Sequence, residues 1–206
     1  PYGLPIETVK PVAPHQELPE RFFLFVGSLR RYKGLPVLLA AQAQTGYPVV
    51  IAGDGECRNL VEKRADQLIW LGSVSESEKQ WLIERCIALI LPSTSRAESF
   101  GLVLLEAMRA GRPAITTSIG SATDWLVQHD ETGQIVPPNE PSKLADAMAY
   151  FWNHPKVANR YGHQARMRFE QHFTDQQFGH SMHRAYLQAI QASNSAKRRS
   201  KLGGES

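Results

Sequence analysis

Glu98 and Glu106 are two carboxylates with seven residues between them, set in the segment PSTSRAESFGLVLLEAMRAGRP over 92–113. An apolar strand over 87–91 ends at the loop that carries Glu98. A helix of about ten residues follows, stopped by Gly111 with Pro113 just beyond. The first amides of that helix, near Phe100, Gly101 and Leu102, have no carbonyl of their own helix to bond and are electropositive, which suits phosphate. Glu106 lies inside an otherwise apolar run, where a carboxylate is costly unless something hydrogen-bonds it. A sugar or ribose hydroxyl would. The spacing alone is weak, since Glu76 and Glu84 share it on a helix that reads as solvent-exposed. Its weight comes from the setting: Pro-Ser closing a strand, Phe-Gly after Ser99, then Glu-Ala-Met and Gly-x-Pro.

A second cluster, Gly27-Ser28-Leu29-Arg30-Arg31-Tyr32-Lys33-Gly34, joins the first strand to the first helix. Glycines let backbone approach a phosphate, and Arg30 or Lys33 could neutralise a diphosphate; the competing reading is a basic surface loop. Gly53-Asp54-Gly55 ends the second strand and is a candidate for close approach to a nucleoside. Gly120-Ser121-Ala122-Thr123-Asp124 opens a helix with Ser121 as cap, and contact with phosphate or sugar competes there with an ordinary capped turn. His180 and His183 share a helical face near His172, but with no third ligand at fixed spacing they read as a surface pair, not a metal site. His129 stands beside Asp130 in a polar loop without an obvious partner. No Ser-His-Asp or Cys-His arrangement and no Gly-Lys-Ser/Thr phosphate loop is present.

The elements that must position these residues alternate. Strands are expected at 21–27, 48–52, 68–71, 87–91, 114–117 and 134–136. Helices are expected at 33–44, 56–66, 75–85 (with Ser75 and Glu78 as a capping box), after Ser99, and at 122–127. Three more helices follow, at 142–153, 155–171 and 175–191. Such alternation predicts an α/β fold, a three-layer Rossmann-like parallel sheet with helices on both faces. Ligands on such sheets bind outside the carboxyl ends of the strands, which is the rim where the clusters above collect.

The predicted organisation is a proline-rich lead-in or linker over 1–20, a Rossmann-like domain over 21–174, a helix over 175–192 and a basic disordered tail over 193–206. The tail holds Lys197, Arg198, Arg199 and Lys201 against Glu205, which alone accounts for the formal net charge of +3. The balanced remainder gives no basic groove for nucleic acid. The tail reads as a solubilising or incidental end, with attraction to anionic lipid as the alternative. No apolar run approaches the roughly 20 residues of a membrane span, and two isolated cysteines, Cys57 and Cys86, suggest a reducing cytoplasm over a disulfide framework.

Taken together, FLFVGSLRRYKG, VVIAGDGE, WLGSVS, LPSTSRAESFGLVLLEAMRAGRPAI and DETGQIVPP, in that order between Phe23 and Thr174, resemble the C-terminal, donor-binding domain of the retaining glycosyltransferases of family four, of GT-B architecture. In DETGQIVPP the marks are Gly133 and Pro137-Pro138 ahead of a helix. The resemblance implies a nucleotide-diphospho-sugar donor, retention at the anomeric carbon and no essential metal or other cofactor. By matching positions it implies that Glu98 holds donor-sugar hydroxyls and that Phe100, Gly101 and Leu102 offer amides to the phosphates and sugar. Glu106 would bind ribose hydroxyls and Lys33 the diphosphate, with Gly53 to Gly55 and Ser73-Val74 near the nucleoside. Glu98 and Lys33 would carry the catalytic roles, with Gly27, Ser28, Arg30 and Ser99 completing the donor site. Many members have Gly-Arg where this chain has Gly27-Ser28, and Arg30 is the expected substitute.

The Arg-x-Tyr-Lys-Gly form is similar to that of members building bacterial surface polysaccharide, which favours mannosyl transfer from GDP-mannose, with UDP-sugars next. Pro1-Tyr2-Gly3 resembles the interdomain crossing of the family, so the chain is expected to be the C-terminal half of a protein about twice its size. The N-terminal half would supply the acceptor site, and this half alone would bind donor but transfer little. The helix over 175–191 would then show an apolar face. Location is expected to be cytoplasmic, with peripheral contact at the inner face of a membrane as a second expectation. The rivals are another GT-B enzyme, such as a nucleotide-sugar epimerase or a glycogen-type synthase, and a stand-alone nucleotide-sugar-binding domain.

Overall fold

The computed structural model describes residues 3–64, 68–179, 182–184 and 186–187. Six strands form one sheet: β1 (Phe23–Val26), β2 (Val49–Ala52), β3 (Ile69–Trp70), β4 (Leu89–Leu91), β5 (Ala114–Thr117) and β6 (Gly133–Val136). Their order is β3-β2-β1-β4-β5-β6, and every neighbouring pair is parallel. The helices are α1 (Leu35–Thr45), α2 (Arg58–Glu62), α3 (Glu76–Arg85), α4 (Leu102–Arg109), α5 (Thr123–Leu126), α6 (Pro141–Asn153) and α7 (Pro155–His172).

Parallel strands covered on both faces read as near-continuous apolar runs, and β1, β2 and β4 are apolar throughout, while β5 and β6 carry the buried Thr116, Thr117 and Gln134. Successive residues of β1 point to opposite faces: Phe23 and Phe25 pack with α1 and α6, while Leu24 and Val26 pack with α3, α4 and α7. Val49 and Ile51 of β2 follow the first face, Val50 and Ala52 the second. The expected three-layer α/β arrangement is therefore the one observed. The order reverses between β1 and β4, and at such a switch point the loops leaving the two strands diverge and open a crevice. The loop after β1 carries Lys33; the loop after β4 carries Glu98.

Element ends differ from expectation for local reasons. α1 starts at Leu35 because Gly34 adopts a left-handed conformation (φ 72°) between a 3₁₀ turn over Arg31–Lys33 and the helix. β3 keeps two residues of an expected four, and α2 spans Arg58–Glu62, since Cys57 and Arg58 donate their amides to Leu29 and Gly55. The capping box forms as read, Ser75 accepting from the Glu78 amide while the Glu78 carboxylate accepts from the Ser75 amide. Gly111 ends α4 in the left-handed region. The N-cap position of α5 falls on Ala122, one residue past the expected Ser121, whose hydroxyl still accepts from the Thr123 amide at 3.4 Å; the Asp124 carboxylate accepts from the amides of Ile119 and Gly120 at 3.3 and 3.1 Å.

The lead-in is pinned to the body of the fold, and the Arg109 guanidinium donates to the Pro5 carbonyl at 3.2 Å. Leu4 bridges Thr174 in parallel, and the Val12 amide donates to Ser77. In the expected helix over 175–191, residues 175–179, 182–184 and 186–187 are helical, and Met182, Tyr186 and Leu187 are exposed. The basic tail and His180 lie outside the described residues. His129 does find a partner, its Nδ1 accepting from the Ile135 amide at 3.0 Å. Among the described residues no helix is long and apolar enough to cross a membrane.

Backbone packing welds the two switch-point loops. A β-carbon on Gly34 would sit 1.8 Å from the Pro92 carbonyl oxygen, and the Thr94 amide donates to Tyr32 at 2.8 Å. Gly34→Ala should therefore cost at least about 3 kcal/mol, because positive φ and a backbone clash add. Gly46→Ala has positive φ but open space around it and should cost about 1 kcal/mol; urea unfolding of both variants checks the difference. Cys57 and Cys86 are buried free thiols, and burial pushes Cys86 up to about 12. At pH 8 neither should react with a thiol reagent until denaturant is added, and fast labelling of Cys86 in the native protein would contradict this packing.

Candidate donor site

Lys33 leaves the 3₁₀ turn after β1 and meets Glu98 across the crevice, Nζ donating to Oε2 at 2.5 Å. Glu98 is 6% exposed. A carboxylate so buried must be paired, and Lys33 pairs it, with a longer bond from the Ser93 hydroxyl at 3.4 Å. The Glu98 loop is short and folded on itself, its amide donating to Ser95.

Behind this pair lies the start of α4. Gly101 occupies the N-cap position with φ 72°, and no side chain caps the helix. The amides of Leu102 and Val103 have no carbonyl of their own helix to bond, and they face the crevice with the positive end of the helix dipole. Gly101 is needed there, since a β-carbon would press on Leu91 and Leu104 in an already left-handed residue. The apolar side chains of α4, Leu104, Leu105, Ala107 and Met108, are buried against the central strands β4 and β5, which fixes the helix on the sheet face.

These groups line an open cleft of about 390 Å³ that brings together Gly27, Lys33, Glu98, Ser99, Phe100, Gly101, Leu102 and Glu106. Eight of the residues singled out from the sequence thus meet at one place. The cleft also holds Val26, Val103 and Lys79, which sequence reasoning missed. Lys79 comes from the second turn of α3, and its Nζ donates to Glu106 Oε1 at 2.9 Å and to Glu76 Oε1 at 3.0 Å. Burial pulls the Lys79 pKa down, but the hydrogen bonds to Glu76 and Glu106 outweigh it and the net direction is up. Glu106 is thus hydrogen-bonded as its apolar setting demands, in this structure by a lysine. The only sequence signal for Lys79 was its i,i+3 spacing from Glu76, which reads as a surface pair.

Ser28, Arg30, Gly53, Asp54, Gly55, Ser73 and Val74 do not line the cleft. They lie on the same rim, at the carboxyl ends of β1, β2 and β3. Arg30 is exposed, and Gly53 to Gly55 support the Lys33 loop. A β-carbon on Gly53 would meet the Gly27 carbonyl oxygen at 2.0 Å, and one on Gly55 would meet Leu29 at 2.9 Å. The Leu29 amide donates to Asp54, the Gly53 amide to Gly72, and Trp70 Nε1 to the Gly53 carbonyl. Gly27 differs from Gly53 and Gly55: a β-carbon there would meet only the Lys33 ammonium, at 3.9 Å. Its backbone borders open space in the cleft. Beyond Ser99 the rim continues to the 120–124 loop through the Ala122 amide, which donates to Ser99 at 3.3 Å. Among the described residues no cluster of His, Cys, Asp and Glu is arranged to hold a metal ion.

Comparison with known proteins places this geometry. The family model described as glycosyl transferases group 1 matches residues 10–168. The chain is 39% identical over 160 residues to O-antigen chain mannosyltransferase C of Escherichia coli, covering 75% of this chain and 43% of that protein. It is 41% identical over 164 residues to D-rhamnosyltransferase WbpZ of Pseudomonas aeruginosa, covering 77% and 43%. It therefore spans less than half the length of these relatives. Among solved structures, sucrose-phosphate synthase from Thermosynechococcus elongatus superposes with a TM-score of 0.80 at 26% identity, covering 93% of this chain and 52% of that one. HepE of Anabaena, solved in complex with UDP, has the same fold, with a TM-score of 0.68 at 23% identity over 78% of this chain and 48% of its own. With a six-stranded parallel sheet, a switch-point cleft and a family match over most of its length, the chain belongs to the glycosyl transferases group 1 family of GT-B glycosyltransferases.

Proposed function

We propose that the cleft binds the diphosphate and sugar of a nucleotide-diphospho-sugar, and that the longer protein transfers a hexose from it, with retention, to a glycan or lipid-linked acceptor of a surface polysaccharide. One observation carries this reading: the buried Lys33–Glu98 pair lies at the mouth of an uncapped helix N-terminus, at the switch point of the sheet. The amides from Phe100 to Leu102 and the Lys33 ammonium take the diphosphate, and Glu98, relieved of Lys33, accepts from the sugar hydroxyls. Glu106 takes the ribose, with the Gly53–Gly55 and Ser73–Val74 turns flanking the nucleoside. The names of the mannosyltransferase and rhamnosyltransferase relatives support a hexose or deoxyhexose donor, and the UDP complex of HepE supports a nucleotide diphosphate in this fold. GDP-mannose is the donor we favour, UDP-sugars the next.

In transfer, the bond from the anomeric carbon to the diphosphate oxygen breaks as the acceptor oxygen bonds to the same face. The acceptor proton passes to the departing diphosphate. This half of the enzyme then contributes electrostatics: amides and Lys33 stabilise charge that develops on the leaving group, and no metal is needed to do so. The acceptor site and the remaining catalytic groups belong to the part of the protein outside this chain, so the chain alone binds donor and transfers little. The reading puts the protein in the cytoplasm, at the inner face of a membrane where the acceptor is lipid-linked. The likeness to sucrose-phosphate synthase keeps another GT-B transferase as the second reading, which product analysis of the longer protein separates.

Calorimetric titration of the chain with GDP, UDP and ADP in the presence of EDTA should give one preferred diphosphate, with a Kd between about 10 µM and 1 mM. No heat with any of the three would contradict the reading. In the longer protein, Lys33→Ala and Glu98→Ala should each lower turnover at least about a hundredfold, the effect of deleting one transition-state donor. Thermal melts must show both variants folded, and near-normal turnover in either would count against the assignment.

A further inference from the structure

Each carboxylate in the cleft has its own lysine, but the two pairs are built differently. Lys33 reaches Glu98 from a loop. Lys79 reaches Glu106 from the body of α3, whose start is fixed by the Ser75–Glu78 capping box, and Glu76 grips the same ammonium through both oxygens at 3.0 and 2.8 Å. Lys79 and Glu106 are largely buried, at 19% and 17% side-chain exposure. Lys79 is therefore anchored to its own helix, as a part that holds another in place.

We propose that Lys79 is a positioning residue: it holds the Glu106 carboxylate oriented beside the anionic diphosphate, so that its remaining oxygen can accept a ribose hydroxyl. This rests on the donor-site reading above. The physical need is specific. A diphosphate seated on the α4 amides brings negative charge into the cleft that holds Glu106. An unpaired carboxylate there would turn away from the diphosphate, and a rotated Glu106 no longer faces the ribose. Lys79 takes Oε1 and leaves Oε2 for the ligand. Its net raised pKa agrees with a cation that persists in this setting.

The test uses the tightest binder among GDP, UDP and ADP, its 2′-deoxy counterpart and inorganic pyrophosphate, each titrated against the chain. The wild type should prefer the ribonucleotide by about tenfold, the worth of one hydrogen bond to a charged group. Lys79→Met should bring that ratio within twofold while pyrophosphate affinity changes less than threefold, and Lys79→Arg should keep most of the ratio. On a Glu106→Gln background, which has already lost the ratio, Lys79→Met should change it no further. An unchanged ratio in Lys79→Met overturns the proposal. So does an equal loss of pyrophosphate and nucleotide affinity, which would make Lys79 a phosphate contact. If Lys79→Met fails to fold, the Lys79→Arg and Glu106→Gln ratios decide: loss in the first or retention in the second overturns it. A wild type that binds pyrophosphate and nucleotide without a ribose preference refutes this inference alone, whereas no binding of either removes the donor-site reading and this inference with it.

Discussion

The contact on which the site depends is between two stretches of backbone. Gly34 and Pro92 approach so closely that no side chain fits between them, and the Thr94 amide reaches back to Tyr32. This joins the loop after β1 to the loop after β4 across the switch point. The loops leaving these paired strands run in opposite directions, and this contact is what ties the loop of Lys33 to the loop of Glu98. With it, a buried ion pair forms at 2.5 Å and the start of α4 is held over it. Preorganisation of this kind is what lets fixed dipoles act on developing charge without reorganising first.

The second layer of support lies on the β2 side. Gly53 and Gly55 are free of side chains because the Lys33 loop passes against them, and Asp54 and Gly72 complete the network with backbone carbonyls. The flexibility of Gly in these turns is spent on protein packing. Gly27 alone of Gly27, Gly53 and Gly55 has its missing β-carbon facing the cleft. Substitution at Gly53 would thus be felt at Lys33 through the loop, without any contact to ligand.

The sheet, its order of elements and most of the cleft were legible in the sequence because they rest on local signals. Apolar runs gave the strands, Ser75 and Glu78 gave the start of α3, and Gly111 gave the end of α4. What was not legible involves groups far apart in the chain. Lys79 and Glu106 are 27 residues apart on different helices, and their meeting follows from the rotation of α3 against α4, which periodicity does not set. Gly34 read as part of a phosphate loop, whereas its partner is a proline carbonyl in a loop nearly sixty residues later. Gly162 is similar: a glycine inside α7 is locally unfavourable, and its reason is the Gly111 carbonyl, 2.1 Å from where its β-carbon would be. Ser121 lies one residue before the N-cap position of α5 and accepts from the Thr123 amide, while the turn ahead of it is held by the Asp124 carboxylate, a contact that the spacing did not announce.

The central claim is that the Lys33–Glu98 pair opens onto a diphosphate bound at the start of α4. A crystal structure of the chain soaked with the preferred nucleoside diphosphate tests it most directly. The account predicts phosphate oxygens within hydrogen-bond distance of the α4 amides and of the Lys33 ammonium, with Lys33 drawn off Glu98. Ordered nucleotide elsewhere on the molecule, with Lys33 still closed on Glu98 and the helix start empty, would contradict it.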